Sequence, residues 1–263
     1  MRFKALSSSS AGNGYILQAR DGEVLLIEAG VRLSEVKKAL DFDLSRITAC
    51  IVSHSHNDHA RYLPAFLLAG IPCLGNQGTQ NAFFSQDQEP FGFTVLKPNY
   101  TKQIGSFLIK PFPLEHDVEN YGYLIHHHET GLVCFITDTA YCHYKFKGLN
   151  NILIEANYSD EIYDQRLMDR TANIYVRNRV LTSHMEFETT KEFLRANDLT
   201  KVNNIVLLHL SMDNSDQARF KREVTELTGK RVAIAEPGLD IELNITGISH
   251  ERKNVTTSSL RLH

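Results

Sequence analysis

The chain has 263 residues, a formal net charge of −3, 42% hydrophobic residues and 22% charged residues. These values exclude global disorder and fibrous classes. The mildly acidic balance excludes a polycationic coat for long nucleic acid, though not a local basic patch.

FKAL, YILQA and VLLIEAG are short, apolar and bounded by turn residues, so they read as strands. RLSEVKKAL follows with Leu33, Val36, Lys37 and Leu40 at helical spacing. TACIVS reads as a buried strand running into HSHNDH, ARYLPAFLLAG as a helix ending at Gly70, IPCLGN as a strand, and residues 85–92 as a loop. FLIKPFPLEH, YGYLIHHH, LVCFITDT and NILIEANYS continue the strands, with ETG as a hairpin turn. SDEIYDQRLMDR and the stretch through Tyr175 read as helical, as does EFETTKEFLRAND with Phe187, Phe193 and Leu194 inward. NNIVLLHLS is a strand, DQARFKREVTELTG a helix, and RVAIAEPG and DIELNI terminal strands. The expected class is α/β: two sheets face to face with helices outside, in four αβ/βα layers. Residues 1–248 are expected to form one domain and 249–263 a polar, disordered tail.

No run of about 18 apolar residues occurs, so no membrane helix is expected. The start MRFKALSSSSAGNG lacks the apolar segment of a secretory signal. Cys50, Cys73, Cys134 and Cys142 form no C-x-x-C, and three of them lie in apolar runs. They read as reduced core residues of a cytoplasmic protein.

The twelve histidines carry the chemistry. His54-Ser55-His56-Asn57-Asp58-His59 sits where a buried strand stops and a helix begins. A loop at a strand end can turn its side chains toward one point, which a helix alone cannot do for positions i and i+2. Imidazole and carboxylate together suit a transition metal. His116 in FPLEHD, Asp138 in FITDT and His209 in VLLHLS also end apolar runs.

These motifs, in this order, resemble the metallo-β-lactamase superfamily, whose H-x-H-x-D-H signature the chain matches at every defined position. The resemblance implies the four-layer metallo-β-lactamase fold and two divalent metal ions, zinc or manganese. It gives His54, His56 and His116 to one ion, Asp58, His59 and His209 to the other, and Asp138 as the bridge. Such a pair holds a shared hydroxide as nucleophile, with Asp58 counted among the catalytic residues. The family usually has Asp where this chain has Glu28. Glu is one methylene longer, so the resemblance implies a shifted loop or a lost contact there.

Glu155, in LIEANY, ends a strand, and His184, in LTSHME, begins a helix; both point to phosphodiesters. They look like the pair of RNase Z-type phosphodiesterases in which a Glu orients a His that protonates the leaving oxygen. SSSSAGNG, LEHD, LIEANY, SHM and LLHLSMDNS are similar to the YycJ-type (WalJ-type) group of the superfamily, regarded as nucleases or phosphodiesterases. Ser10 and Asn13 of the Ser/Gly loop, Arg177, Arg179 and Ser211 are candidate substrate contacts. His126, His127 and His128 are given no metal role, and His143 is placed on the surface.

The expected function is therefore a metal-dependent hydrolase: a phosphodiesterase or nuclease acting on nucleic acid or small cyclic nucleotides. A lactone or thioester hydrolase on the same metals is the alternative, and a non-catalytic binding module a further one. No membrane partner is expected, and a homodimer is the default assembly.

Overall fold

The computed structural model describes residues 1–84, 91–171 and 180–244. The first half lays down β1 (Arg2–Ser9), β2 (Gly12–Gln18), β3 (Val24–Ile27), β4 (Ile47–Ile51), β5 (Cys73–Gly75) and β6 (Phe93–Val95). The second adds β7 (Lys102–Ile104), β8 (Phe107–Leu114), β9 (Asn120–His127), β10 (Gly131–Ile136), β11 (Leu149–Glu155), β12 (Asn204–Leu208) and β13 (Arg231–Ile234). β14 (Asp240–Glu242) returns to pair with β1. The first sheet has the order β14-β1-β2-β3-β4-β5-β6 and the second β13-β12-β11-β10-β9-β8-β7. Each runs antiparallel through β3 or β10 and parallel beyond it, so the two halves share one plan.

Alternation along the strands decides the layers. In β10, Val133 and Phe135 face the core between the sheets, while Leu132, Cys134 and Ile136 face a second core. β3 divides in the same way, with Leu25 and Ile27 between the sheets and Val24 and Leu26 outside. Strands covered on both faces read as continuous apolar runs, as VLLI and NIVLL do.

Helices cover the outer faces. On the first sheet lie α1 (Leu33–Ala39) through Val36 and α3 (Leu63–Leu68) through Leu63 and Phe66. Between them in sequence is the four-residue α2 (Asn57–Ala60), and α4 (Gln77–Phe83) follows β5. The sequence does not predict α4, because QGTQNAF carries almost no apolar periodicity; the Asn76 side chain starts it by accepting from Thr79 N–H at 2.7 Å. The second half has α5 (Asp160–Met168), α6 (Phe187–Ala196) and α7 (Gln217–Thr228). α7 stops at Gly229, whose φ of 66° is the left-handed cap that glycine adopts without strain.

The Phe187 and Phe220 rings of α6 and α7 stack with centroids 3.8 Å apart, both fully buried. Phe220→Ala should destabilise the protein by about 3–5 kcal/mol through lost burial and a cavity. A shift of the urea midpoint at unchanged slope would register it.

All four cysteines are free and buried. No helix among the described residues is long and apolar enough to cross a membrane. Residues 245–263, including the expected tail, residues 85–90, where a loop is expected, and residues 172–175, expected to be helical, lie outside the described residues.

Candidate metal centre

β3, β4, β8, β10, β11 and β12 end at one edge of their sheets, where parallel strands characteristically present ligands. Glu28 follows β3, His54 follows β4, His116 follows β8, Asp138 follows β10, Glu155 ends β11 and His209 follows β12. Glu28, Asp138 and His209 hold φ of 68°, 44° and 51°. Non-glycine residues in this region cost about 1–3 kcal/mol each and cluster where a site over-determines them.

Three imidazoles form one group. His54 Nε2 lies 3.1 Å from His56 Nδ1, and His116 Nε2 lies 3.2 Å from the same atom. Two ligands roughly 2.0–2.1 Å from a tetrahedral ion stand about 3.3 Å apart, so these nitrogens are spaced as ligands. His54 is fully buried, with Nδ1 2.8 Å from Ser53 Oγ.

A second group joins Asp58, His59, Asp138 and His209. His59 Nε2 lies 3.3 Å from Asp58 Oδ2 and 3.2 Å from Asp138 Oδ1. His209 Nδ1 lies 2.9 Å from Asp138 Oδ1. His209 Nε2 is buried and has no hydrogen-bond partner, although Asp58 Oδ2 is 3.5 Å away. Asp138 lies between the two groups, its other oxygen 3.8 Å from His54 Nε2. The carboxylates of Glu28, Asp58, Asp138 and Glu155 have only histidines as ion-pair partners among the described residues. Buried anions without a lysine or arginine, beside convergent imidazoles, fit divalent cations.

Charge sharing within the centre is strong. Burial opposes a charge on His59 and His209, but the surrounding carboxylates, Asp138 foremost with Asp58, Glu28 and Glu155, together outweigh it and lift both imidazoles well above their ordinary value. Burial and the neighbouring His59 instead push His54 well below it.

The N-terminal Ser/Gly turn braces this centre from behind. Asn13 is fully buried, and its amide lies 3.0 Å from His59 Nε2 and donates to the Asp58 carbonyl at 3.3 Å. Ser8 Oγ accepts from the His209 backbone N–H at 2.8 Å. Gly30 allows the metal loop to pack here, because a Cβ on it would stand 1.7 Å from the Asp58 carbonyl oxygen.

Glu28 keeps its contact despite its extra methylene. One oxygen accepts from Ser53 N–H at 3.2 Å, and the other stands 3.4 Å from His59 Nδ1. That second approach is an ion-pair distance without hydrogen-bond alignment, since both atoms otherwise lack partners.

His184 follows a helical stretch at 180–183 and sits in the break before α6, not at a helix start as its sequence suggests. Its Nδ1 is 2.7 Å from Glu155 Oε1, and the same oxygen is 3.1 Å from His209 Nδ1. Glu155 Oε2 accepts from Thr139 N–H at 3.2 Å and Met185 N–H at 3.1 Å, so the fully buried carboxylate is fixed on all sides. Burial disfavours charge on both partners, but their attraction wins: His184 is lifted above and Glu155 held below the ordinary values.

A cleft of about 280 Å³ opens over the centre, lined by Ser10, Asp58, His116, Asp117, Ser183 and His184 among others. Every lining residue is polar or charged. Of the candidate substrate contacts, Ser10 lines the cleft, whereas Asn13 is buried behind the metal loop. Ser211 is half-buried and accepts at its Oγ from Asn214 N–H at 3.2 Å, outside the cleft lining. Arg177 and Arg179 lie outside the described residues.

His127 spends both ring nitrogens locally, on Ser106 Oγ and Glu129 N–H. His143 is exposed and pairs with Glu115 at 2.9 Å. Sequence reasoning missed Asp117, which stands beside His56 and His116; its only signal was adjacency to His116.

Comparison with known proteins places the fold in a known family. Residues 10–138 match the metallo-beta-lactamase superfamily. The chain is 24% identical over 243 residues to the exodeoxyribonuclease YycJ of Bacillus anthracis, covering 86% of this chain and 89% of that protein. The metallo-beta-lactamase fold protein YhfI of Bacillus subtilis superposes with a TM-score of 0.66 at 17% identity, covering 91% of this chain and 98% of that one. The short form of human tRNase Z superposes with a TM-score of 0.59 at 16% identity, covering 93% and 100%.

Proposed function

This chain carries a metallo-beta-lactamase domain of the metal-dependent hydrolase type, and on that premise we propose that it is a dinuclear phosphodiesterase acting on nucleic acid or a small nucleotide. The observation that carries the proposal is the 2.7 Å contact between Glu155 and His184 at the lip of an all-polar cleft. In this reading His54, His56 and His116 hold one ion, Asp58, His59 and His209 the other, and Asp138 both. Zinc or manganese there would supply Lewis acidity and a water acidic enough to attack near neutral pH.

The protein's own part is to orient and to move a proton. Glu155 accepts from His184 Nδ1, which fixes the ring and favours its protonated form. His184 Nε2 is then the N–H that meets the departing oxygen. An alkoxide leaves poorly without a proton, so phosphodiester cleavage has use for this arrangement. Lactone or thioester hydrolysis has less need of it and is the second reading. The names of the relatives point the same way: an exodeoxyribonuclease and a tRNase both take phosphodiesters.

The test is metal dependence on a panel of substrates. Activity on bis-p-nitrophenyl phosphate, cyclic nucleotides or short DNA is expected to vanish with chelator and return with Mn²⁺ or Zn²⁺, with two ions per chain by elemental analysis. Turnover of a lactone alone would favour the second reading. Full turnover without metal would overturn both.

A further inference from the structure

Asp117 follows His116 in the turn after β8, and its side chain is 54% exposed toward the cleft. Its Oδ1 lies 3.3 Å from His56 Nε2 and 3.1 Å from His116 Nε2, ion-pair distances without hydrogen-bond alignment in this structure, so a small turn of the exposed carboxylate is what would complete a bond to either ring. His56 turns Nδ1, not Nε2, to the point where the three imidazoles meet, 3.1 Å from His54 Nε2 and 3.2 Å from His116 Nε2. A neutral imidazole has one N–H and one lone pair. For His56 to offer the Nδ1 lone pair to an ion, its proton must sit on Nε2, the nitrogen nearer to Asp117.

The other two histidines of this group are held differently. His54 is oriented by Ser53 Oγ at Nδ1, so its Nε2 is the free nitrogen. His116 Nδ1 is buried with no hydrogen-bond partner. His56 is the most exposed of the three, its side chain 36% accessible, and the packing around it constrains the ring least.

We propose that Asp117 is a positioning residue of the three-histidine site: its carboxylate accepts the His56 Nε2–H and selects the tautomer that ligates through Nδ1. The proposal rests on the reading that His54, His56 and His116 hold an ion. Carboxylates that accept from a ligating histidine fix its ring and raise its basicity, and their loss costs about 10–100-fold in metal affinity. An exposed ion pair by itself is worth little, so the effect is expected on metal binding and not on folding.

The experiment uses the full chain with Zn²⁺ alone, titrated in competition with a chelating indicator that resolves the two ions. Wild type, His54→Ala, Asp117→Ala and Asp117→Asn are compared. Asp117→Ala should weaken one ion by about 10–100-fold, the same ion that His54→Ala loses, and leave the other unchanged. Asp117→Asn should retain most of the affinity, because the amide oxygen also accepts from Nε2–H. In the zinc form, long-range proton–nitrogen spectra should show His56 protonated at Nε2, and in Asp117→Ala a mixture of tautomers or a broadened signal. Wild-type affinity for both ions in Asp117→Ala would overturn the proposal. So would an Asp117→Asn loss as large as that of Asp117→Ala, since that identifies Asp117 as a ligand in its own right. If His54→Ala bound two ions normally, the metal assignment itself would fail, which the same titration distinguishes.

Discussion

Replacing His184 by alanine is expected to slow cleavage of an unactivated phosphodiester by about 10²–10⁴-fold while both metal ions stay bound. His184 stands in a break between helical segments, its ring 17% accessible at the cleft and anchored at Nδ1 by Glu155. That leaves Nε2 to give up a proton. A p-nitrophenolate departs with little help, so the same variant should lose far less rate on an activated substrate. The acid must be protonated to work, and its folded value lies above the ordinary 6.5. The alkaline limb of the wild-type kcat/KM profile is therefore expected above that value and should disappear from His184→Ala. Metal content, pH profile and rate on both substrates decide the matter. An equal loss on both, or a lost ion, would mean that His184 is not the leaving-group acid.

The second large effect is expected at Asp138. Its carboxylate is 2% accessible and lies 2.9 Å from His209, 3.2 Å from His59 and 3.8 Å from His54, so one side chain reaches both donor groups. Asp138→Ala should drop the metal content below two ions per chain and take activity with it by more than the loss at His184. Alanine at a φ of 44° also carries about 1–2 kcal/mol of backbone strain. Asp138→Asn is the companion variant, because asparagine tolerates this conformation and changes only the charge. Elemental analysis after desalting, with circular dichroism to confirm the fold, reads the outcome. Two ions retained in Asp138→Asn and in Asp138→Ala would exclude Asp138 as the bridge.

Much of this centre is legible in the sequence alone. His54, His116, Asp138 and His209 each follow an apolar run, and a residue that ends a buried strand is delivered to a sheet edge whatever the rest of the chain does. The HSHNDH cluster needs only its own loop to converge. The two-sheet architecture was legible for a related reason: strands covered on both faces must be apolar throughout, and VLLI, NIVLL and GLVCFI are. Short elements without periodicity, such as α4, were not, because a single side-chain cap at Asn76 starts that helix.

What the sequence by itself determined was thus the donor inventory and the strand ends that carry it. The tertiary structure decided how the supporting groups are shared. Glu155 could be paired with His184 from its position, but its simultaneous contact with His209 depends on β11 lying beside β12. Asn13 could be read as a phosphate contact until the β1–β2 turn was seen packed against the Asp58 carbonyl, an approach that Gly30 permits. Glu28 meets Ser53 N–H and comes near His59 from a left-handed backbone, a conformation that side-chain length does not predict. Asp117 meets His56 across sixty-one positions of sequence. Each of these contacts joins segments far apart in the chain, and the pairing of strands within a sheet, or for Asp117 the packing of one sheet on the other, sets their distances, quantities that local pattern does not encode.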